Sequence, residues 1–444
     1  MKKYIVTGGK KLSGEVVVAG AKNVVLPAIV AACLTSEEVE IKNVPLIADF
    51  YVMLDLVKEI GGTVHLSGHT VKIKVGKIEN VKIPLDTGAK IRTSSMFVAP
   101  LLARRGEAYI PNPGGCRIGA RPIDRHIEGL MMMGTSCVYN SDDGYFRLAT
   151  EGLTGARYTF TKNSHTGTEV LLMSAVLAKG ETVISNAAEE PEVDDLINLL
   201  NLMGARIERV DKRTIVIEGV ETLHGASYEI MPDRNEVVTF AVLSALTGGK
   251  ITIKNVRMPD IKGFLDVFER AGGKFQVSKS GVRFFMPDGI KPTNILTAPH
   301  PGFMTDWQGP WAIFMTQAEG ASSIHEAVYE NRFGYVDELK KMGADLAYWK
   351  PKVRDPGKFY NFNYFEEDKD RKQGLKIKGP TKLHNGVLNI SDLRAGATLV
   401  IGSLIAKGES VIYGVDILTR GYEAFDKRLK ALGADIKIEE EEML

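Results

Sequence analysis

Along most of the chain, apolar stretches of helical length alternate with short runs in which every second residue is apolar. The alternation repeats. Leu101-Leu102-Ala103-Arg104-Arg105-Gly106, Leu177-Ala178-Lys179-Gly180, Ala245-Leu246-Thr247-Gly248-Gly249, Thr316-Gln317-Ala318-Glu319-Gly320 and Ile405-Ala406-Lys407-Gly408 each close a stretch that reads as a helix. A glycine there predicts a helix C-cap, because it tolerates positive φ. A β-rich run follows each, such as Glu181-Thr182-Val183-Ile184 or Ile251-Thr252-Ile253. The first unit has the same plan, with Leu34-Thr35-Ser36 at the break and Val39-Glu40-Ile41 as the strand. A second helix, a second glycine and another strand complete every unit. Those glycines are Gly61, Gly134, Gly204, Gly272, Gly343 and Gly433. The first five lie about 70 residues apart and the last gap is about 20 longer, which predicts an insertion in the final unit.

The pattern predicts an α/β fold of six repeated units, three to a domain, since six are too many for one core. With two helices and at least three strands, the unit is too large for a (β/α)8 barrel. No Gly-x-Gly-x-x-Gly follows a strand, so a Rossmann site is unsupported. The expected insert, Tyr348 to His384, is rich in Lys, Asp, Pro and aromatics and contains Tyr360-Asn361-Phe362-Asn363-Tyr364-Phe365. Its composition is compatible with an ordered excursion and with a mobile loop.

Charge and cysteine content narrow the class. The formal net charge of the 444 residues is +1, which gives no electrostatic case for nucleic acid. No apolar run is long enough to span a membrane. The start, Met-Lys-Lys-Tyr-Ile-Val-Thr-Gly-Gly, has no apolar core of a secretory signal. Cys33, Cys116 and Cys137 fit a reducing compartment, and no Cys or His cluster has metal-binding spacing.

The chemistry-bearing stretch is Pro113-Gly114-Gly115-Cys116-Arg117-Ile118-Gly119-Ala120-Arg121-Pro122-Ile123-Asp124. Its glycines and prolines make it a loop, and Arg117 and Arg121 favour the thiolate of Cys116. A second set lies at helix starts: Lys22 with Asn23, Arg92, Asp306, and Asp392 with Arg394. Plain N-capping accounts for the two aspartates. It does not account for the cations, which oppose the helix dipole unless an anion joins them. Taken alone, Arg332 and Arg420 read as surface salt-bridge formers. If the groups converge in a cleft between the domains, they predict a small polyanionic substrate. A carboxylate among them can take a proton from a hydroxyl, and a loop cysteine can donate one or attack.

On these motifs the chain resembles the UDP-N-acetylglucosamine 1-carboxyvinyltransferase family of enolpyruvyl transferases. The likeness is carried by Ser13-Gly14-Glu15, Gly20-Ala21-Lys22-Asn23, Arg92, the cysteine loop, Glu190-Pro191-Glu192 and Pro232-Asp233-Arg234. It continues in Thr297-Ala298-Pro299-His300-Pro301, Thr305-Asp306, Glu330-Asn331-Arg332-Phe333, Asp392-Leu393-Arg394-Ala395 and Arg420-Gly421-Tyr422-Glu423. The resemblance implies two inside-out α/β barrels, one of residues 23–231 and the other of residues 1–22 and 232–444. It implies a cytoplasmic enzyme that moves enolpyruvyl from phosphoenolpyruvate to the 3′-hydroxyl of UDP-N-acetylglucosamine, opening peptidoglycan synthesis, with neither metal nor organic cofactor. Cys116 is then the proton donor and fosfomycin target, and Asp306 the base. Asp392 joins them at the catalytic centre. Lys22, Arg121 and Arg420 hold the phosphate, Arg332 and Arg394 surround the carboxylate, and Asn23 and Arg92 complete the site. Arg121, Pro122, Ile123, Asp124 and Arg125 contact the uridine nucleotide, Lys162, Asn163, Ser164 and His165 form a second nucleotide loop, and Val328 offers a backbone contact.

The chain departs from the family pattern at Lys162 to Thr168, Glu189, Arg125, Pro310 and Trp311, and at the insert. Three other readings have less support. 5-Enolpyruvylshikimate-3-phosphate synthase lacks the cysteine loop, and an RNA 3′-phosphate cyclase calls for a basic surface. A non-catalytic sugar-nucleotide binder needs neither proton donor nor base.

Overall fold

Six small sheets carry the repeat in the computed structural model, which describes residues 2–112, 123–365 and 370–440. Five have four strands and one has three, and with their helices they make a mixed α/β fold. The plan is constant. In the first repeat, strand Glu38–Lys42 pairs antiparallel with Thr70–Lys74, Glu38 facing Lys74 and Lys42 facing Thr70. Thr63–Ser67 closes the hairpin, and Ala226–Glu229 runs parallel along the other edge. Val39 and Ile41 are buried while Glu38 and Lys42 are exposed, the alternation expected of a sheet with one covered face. In the three-stranded sheet a single bridge from Lys82 to Tyr109 stands where the others have their parallel edge strand.

The first helix of each repeat supplies the core. Every residue of helix Lys22–Ala32 from Val24 onward is buried, and helix Leu393–Ile405 is buried from Leu393 to Leu404. Helices apolar all round belong inside a layer of other elements. Helices Arg234–Thr247, Gln308–Met315 and Leu393–Ile405 pack on one another accordingly. Pro310 is tolerated because it falls in the first turn of its helix.

The chain divides into two units. One holds residues 20–112 and 123–231, around an apolar core running from Ala21 to Met231. The other holds residues 2–19 and 232–440, around a core running from Tyr4 to Ile436. The first passage falls at Ala19–Gly20, three residues before the expected 22/23 break. Gly20 explains the difference. A Cβ there would lie 1.7 Å from the Asn43 carbonyl oxygen, and the next amide, Ala21, donates to Met231 O at 2.8 Å. Residues 20–22 are thus already built into the unit of residues 20–231.

Two edge strands are exchanged at the passages. Gly14–Val17 precedes helix Lys22–Ala32 in the chain but pairs with Ile251–Lys254. Ala226–Glu229 precedes helix Arg234–Thr247 but pairs with Glu38–Lys42. Elsewhere an edge strand serves its own repeat, as Arg157–Thr159 does for Glu181–Ser185. The first strand of the chain, Lys2–Thr7, lies between Glu409–Tyr413 and Asp435–Glu440, so it completes the sheet of the last repeat.

The six glycines that end the second helices share φ between 88° and 99°, a left-handed conformation that L side chains rarely adopt. Of the other five, Gly106 and Gly248 are left-handed caps, but Gly180, Gly320 and Gly408 are not. Their helices stop earlier, because Lys179, Ala318 and Lys407 turn out to bridge Thr154, Ile290 and His384. The insert falls within the expected stretch, 348–384, but belongs to another repeat. It is the connection between strands Asp345–Trp349 and Gly374–Gly379 in the fifth sheet, residues 350–373, and not an addition to the final repeat.

Because Lys2–Thr7 is an interior strand, shortening one of its buried side chains opens a cavity. Val6→Ala is expected to cost about 2 kcal/mol. Ile438→Ala, at a 43% exposed position on the adjacent strand, should cost less than about 1 kcal/mol. Urea unfolding midpoints of the two variants test the ranking.

Candidate active site

In the unit of residues 20–231 the singled-out groups sit where first helices begin. Lys22 is the first residue of its helix, whose N-cap, Ala21, offers no side-chain acceptor. The Lys22 ammonium instead meets the Asp49 carboxylate at 2.7 Å, with both side chains largely buried. Asp49 belongs to the first turn of helix Ala48–Glu59, and the sequence reading missed it. Asn23 follows Lys22 in the same turn. Arg92 opens the 3-10 helix Arg92–Phe97. Cys116, Arg121 and Pro122 lie outside the described residues. Ile123 is buried, and Asp124 begins helix Asp124–Met132, where an acid suits the N-terminus.

The divergent stretch from Lys162 to Thr168 makes another helix start. Ser164 caps helix His165–Ala175 by accepting from the Gly167 amide. Arg125 donates to the Asn163 carbonyl at 3.3 Å, and Asn163 donates to the Asn186 carbonyl. His165 pairs with Glu169 one turn along, Nε2 to Oε1 at 3.2 Å. Glu169, Glu190 and Glu192 are all buried. Desolvation alone would lower the imidazole, but the Glu169 carboxylate, with Glu190 and Glu192 behind it, pushes His165 up to about 10. Glu189, in place of a cation, pairs with Arg213 at 2.7 Å.

In the unit of residues 2–19 and 232–440, four expected residues form one ion network. Asp306 lies within the 3-10 turn Thr305–Trp307 and is not a cap. One of its oxygens bonds Arg332, and the other is 3.4 Å from Arg394. Asp392 is a cap: Oδ1 accepts from the amides of Arg394 and Ala395 at 3.0 and 3.1 Å, and also faces Arg332 at 3.4 Å. The capping reading therefore holds for Asp392 and fails for Asp306. Arg332, expected from sequence alone at the surface, is 6% exposed. Burial opposes its charge, but Asp306 and Asp392 outweigh burial and raise its pKa. Arg394 is raised too: desolvation is outweighed by the Tyr422 hydroxyl at 3.0 Å and by Asp306. Tyr422 in turn meets Thr239 at 2.8 Å. Arg420 ends the 3-10 turn Val415–Arg420, two residues before Tyr422.

Glu326, fully buried, supports this network from below and was also missed. Its carboxylate accepts from the amides of Val328 and Tyr329 at 2.7 and 3.1 Å, from Thr305 at 2.9 Å, and from Gln308 at 3.3 Å. Gln308 also donates to the Arg332 carbonyl. Glu326 therefore fixes both the turn that carries Val328 and Arg332 and the turn that carries Asp306. Burial raises its pKa, against the pull of those amides. Among the described residues, no group of three or more His, Cys, Asp or Glu has metal-binding geometry. No described helix is long and apolar enough to cross a membrane.

A family model described as EPSP synthase (3-phosphoshikimate 1-carboxyvinyltransferase) matches residues 6–429. The UDP-N-acetylglucosamine 1-carboxyvinyltransferase of Magnetococcus marinus is 40% identical over 441 residues, covering 98% of this chain and 99% of its own. The protein of that name from Acidobacterium capsulatum is 39% identical, covering 98% and 96%. Among solved structures, the enolpyruvyl transferase NikO from Streptomyces tendae has a TM-score of 0.86 at 25% identity, covering 99% of both chains. An EPSP synthase from Acinetobacter baumannii, at 17% identity, has a TM-score of 0.71 over 99% of this chain and all of its own, a likeness of fold.

The His165 environment predicts a pH effect of definite sign. The folded value lies above the unfolded 6.5, so the stabilisation is fully present below about 6.5 and fades as pH rises toward about 10. The imidazole nitrogen shifts of His165 should report a charged ring at about pH 8, where an unperturbed histidine is neutral. A neutral ring at that pH contradicts the pairing.

Proposed function

The chain belongs to the EPSP synthase family, and on that premise we propose that it transfers enolpyruvyl from phosphoenolpyruvate to the 3′-hydroxyl of UDP-N-acetylglucosamine, releasing phosphate. The observation that carries the acceptor is the near-full-length likeness, at about 40% identity, to enzymes of that name. We further propose the inside-out arrangement of the two α/β barrels, the cytoplasm as the site of action, and peptidoglycan synthesis as the pathway served.

The reaction needs a proton at the methylene carbon of phosphoenolpyruvate and a base at the sugar hydroxyl. Cys116 delivers the first. Asp306 takes the second while the sugar oxygen bonds the central carbon, giving a tetrahedral ketal. Elimination reverses the proton traffic: the methyl group loses a proton, the carbon–phosphate oxygen bond breaks, and phosphate leaves. Lys22, Arg121 and Arg420 hold that phosphate, and Arg332 and Arg394 hold the carboxylate. Asn23 and Arg92 complete the donor side. Asp392 acts through Arg332 and the start of helix Leu393–Ile405. Arg121, Pro122, Ile123, Asp124 and Arg125 receive the uridine, with Lys162, Asn163, Ser164 and the backbone of His165 around the nucleotide and a backbone contact from Val328 to the sugar.

The ion network gives this scheme an ordering device. Asp306 is held by two guanidinium groups, which oppose its taking up a proton. A substrate carboxylate that engages Arg332 and Arg394 draws them from Asp306 and raises its basicity when the donor is in place. The altered second loop, with His165 tied to Glu169, favours one alternative: the same chemistry on a different hydroxyl acceptor.

Phosphate release from phosphoenolpyruvate by the purified protein should depend on UDP-N-acetylglucosamine; release that ignores it, or none at all, overturns the acceptor assignment. Asp306→Asn should lower kcat by about a hundred- to ten-thousand-fold. Cys116→Asp should keep turnover and lose inactivation by fosfomycin, read by residual activity and by the mass of the adduct. Inactivation by fosfomycin that persists in that variant removes Cys116 as its target.

A further inference from the structure

Glu326 stands between two turns that the proposed reaction uses for different ends, and each of its carboxylate oxygens serves one of them. It follows directly on strand Gly320–His325 and is fully buried. Its own amide donates to the Gln373 carbonyl at 2.8 Å, and the next amide, Ala327, donates to Thr297 Oγ1 at 2.8 Å, so the backbone here is pinned. Oε1 accepts from the amides of Val328 and Tyr329 at 2.7 and 3.1 Å. Oε2 accepts from the Thr305 hydroxyl at 2.9 Å and from Gln308 Nε2 at 3.3 Å, the residues that bracket Asp306 in sequence. The Tyr335 hydroxyl donates to Gln308 Oε1, which fixes that side-chain amide with its nitrogen toward Glu326.

All four of these partners donate, a pattern that only the ionised carboxylate satisfies in full. Burying that charge gives up its hydration, and an apolar side chain would serve packing alone at less cost. Neither an apolar side chain nor a carboxamide can accept from both turns at once. The carboxylate is therefore matched to a task of joining them. One turn carries Val328 and the other carries Asp306. With its amide spent on Glu326, Val328 has its carbonyl as the backbone group for a sugar hydroxyl.

We propose that Glu326 is a positioning residue that sets the separation between the base, Asp306, and the backbone of Val328, so that an acceptor held at Val328 presents its hydroxyl to the base. This rests on the functional reading given above. Glu326 acts only through the two turns and touches neither substrate nor reacting atoms. A base displaced by about 1 Å loses about a hundredfold in rate while binding is retained.

The test measures steady-state phosphate release by the full-length protein, with UDP-N-acetylglucosamine binding followed separately by calorimetry. Thr305→Val removes one bond to the turn of Asp306 and leaves both amides on Oε1. Its kcat should fall about tenfold, with the Kd for UDP-N-acetylglucosamine within about twofold of wild type. Thr305→Ser keeps the hydroxyl and should restore kcat to within about twofold of wild type. Glu326→Gln keeps the size of the side chain and should lower kcat about a hundredfold. The threonine pair keeps the test valid if Glu326→Gln fails to fold. Variants that lose only thermal stability with kcat unchanged, a Thr305→Val protein whose Kd rises as much as its kcat falls, or a Thr305→Ser protein as slow as Thr305→Val overturns the proposal. Wild-type protein that releases no phosphate in response to UDP-N-acetylglucosamine overturns the functional reading and this proposal with it, whereas active wild type with unresponsive variants overturns the proposal alone.

Discussion

A guanidinium taken out of water must keep carboxylate company, and this governs the unit that holds Asp306. Arg332 and Arg394 are each 6% exposed. In a medium of low polarizability an isolated charge is very costly, and removing one partner of a buried pair costs about 3–5 kcal/mol. Asp306 and Asp392 are therefore structural as well as chemical. Asp392 fastens the start of helix Leu393–Ile405 while facing Arg332, and Tyr422 links Arg394 to Thr239 on helix Arg234–Thr247. Lys22 obeys the same rule in the other unit, against Asp49. Lys22, Arg332 and Arg394 thus each already have an internal carboxylate. Under the proposed assignment, a substrate anion exchanged for that carboxylate would gain only the difference, which favours selectivity over raw affinity.

The repeat explains why these groups stand where they do. Six first helices have six N-termini, and each carries a polar or charged group at its start: Lys22, Arg92, Ser164 with His165, Asp233, Asp306 and Asp392 with Arg394. Unpaired amides and the positive end of the dipole make such positions natural anion sites. Behind these starts the helix bodies are mostly apolar and buried. At the two passages, strands Gly14–Val17 and Ala226–Glu229 each pair within the unit that the chain is about to leave.

Much of this was legible because periodicity and glycine φ are local properties. The strands at Glu181–Ser185 and Ile251–Lys254 and the six left-handed glycines follow from the residues themselves. Pairing partners are not local. Nothing in Lys2–Thr7 says that it completes the last sheet, and nothing in Ala226–Glu229 says that it pairs backward across most of its unit. Glycine spacing counts the residues between Gly343 and Gly433 but cannot tell whether the added ones complete the fifth repeat or open the sixth, which is why the insert was assigned one repeat too late. Glu326 and Asp49 were missed for a related reason. A carboxylate at a strand end or in the first turn of a helix reads as ordinary surface until its neighbours are known. Arg332 was misjudged when taken alone because only Asp306 and Asp392, distant in sequence, make its burial affordable.

Of the departures from the family pattern, Arg125, Glu189 and the stretch from Lys162 to Thr168 lie in the unit of residues 20–231, whereas Pro310, Trp311 and the insert lie in the unit that holds Asp306. The network of Asp306, Arg332, Asp392 and Arg394 is complete, whereas the nucleotide loop is rebuilt around His165. Three buried glutamates stand near that imidazole. Their summed charge needs a cation more than a phosphate does, so His165 serves as the counter-charge that lets Glu169, Glu190 and Glu192 stay inside. The His165 side chain is thereby committed to the glutamates, and Arg125 reaches the Asn163 carbonyl of the same stretch. A site arranged this way keeps enolpyruvyl transfer unchanged while the fit of the acceptor is free to diverge.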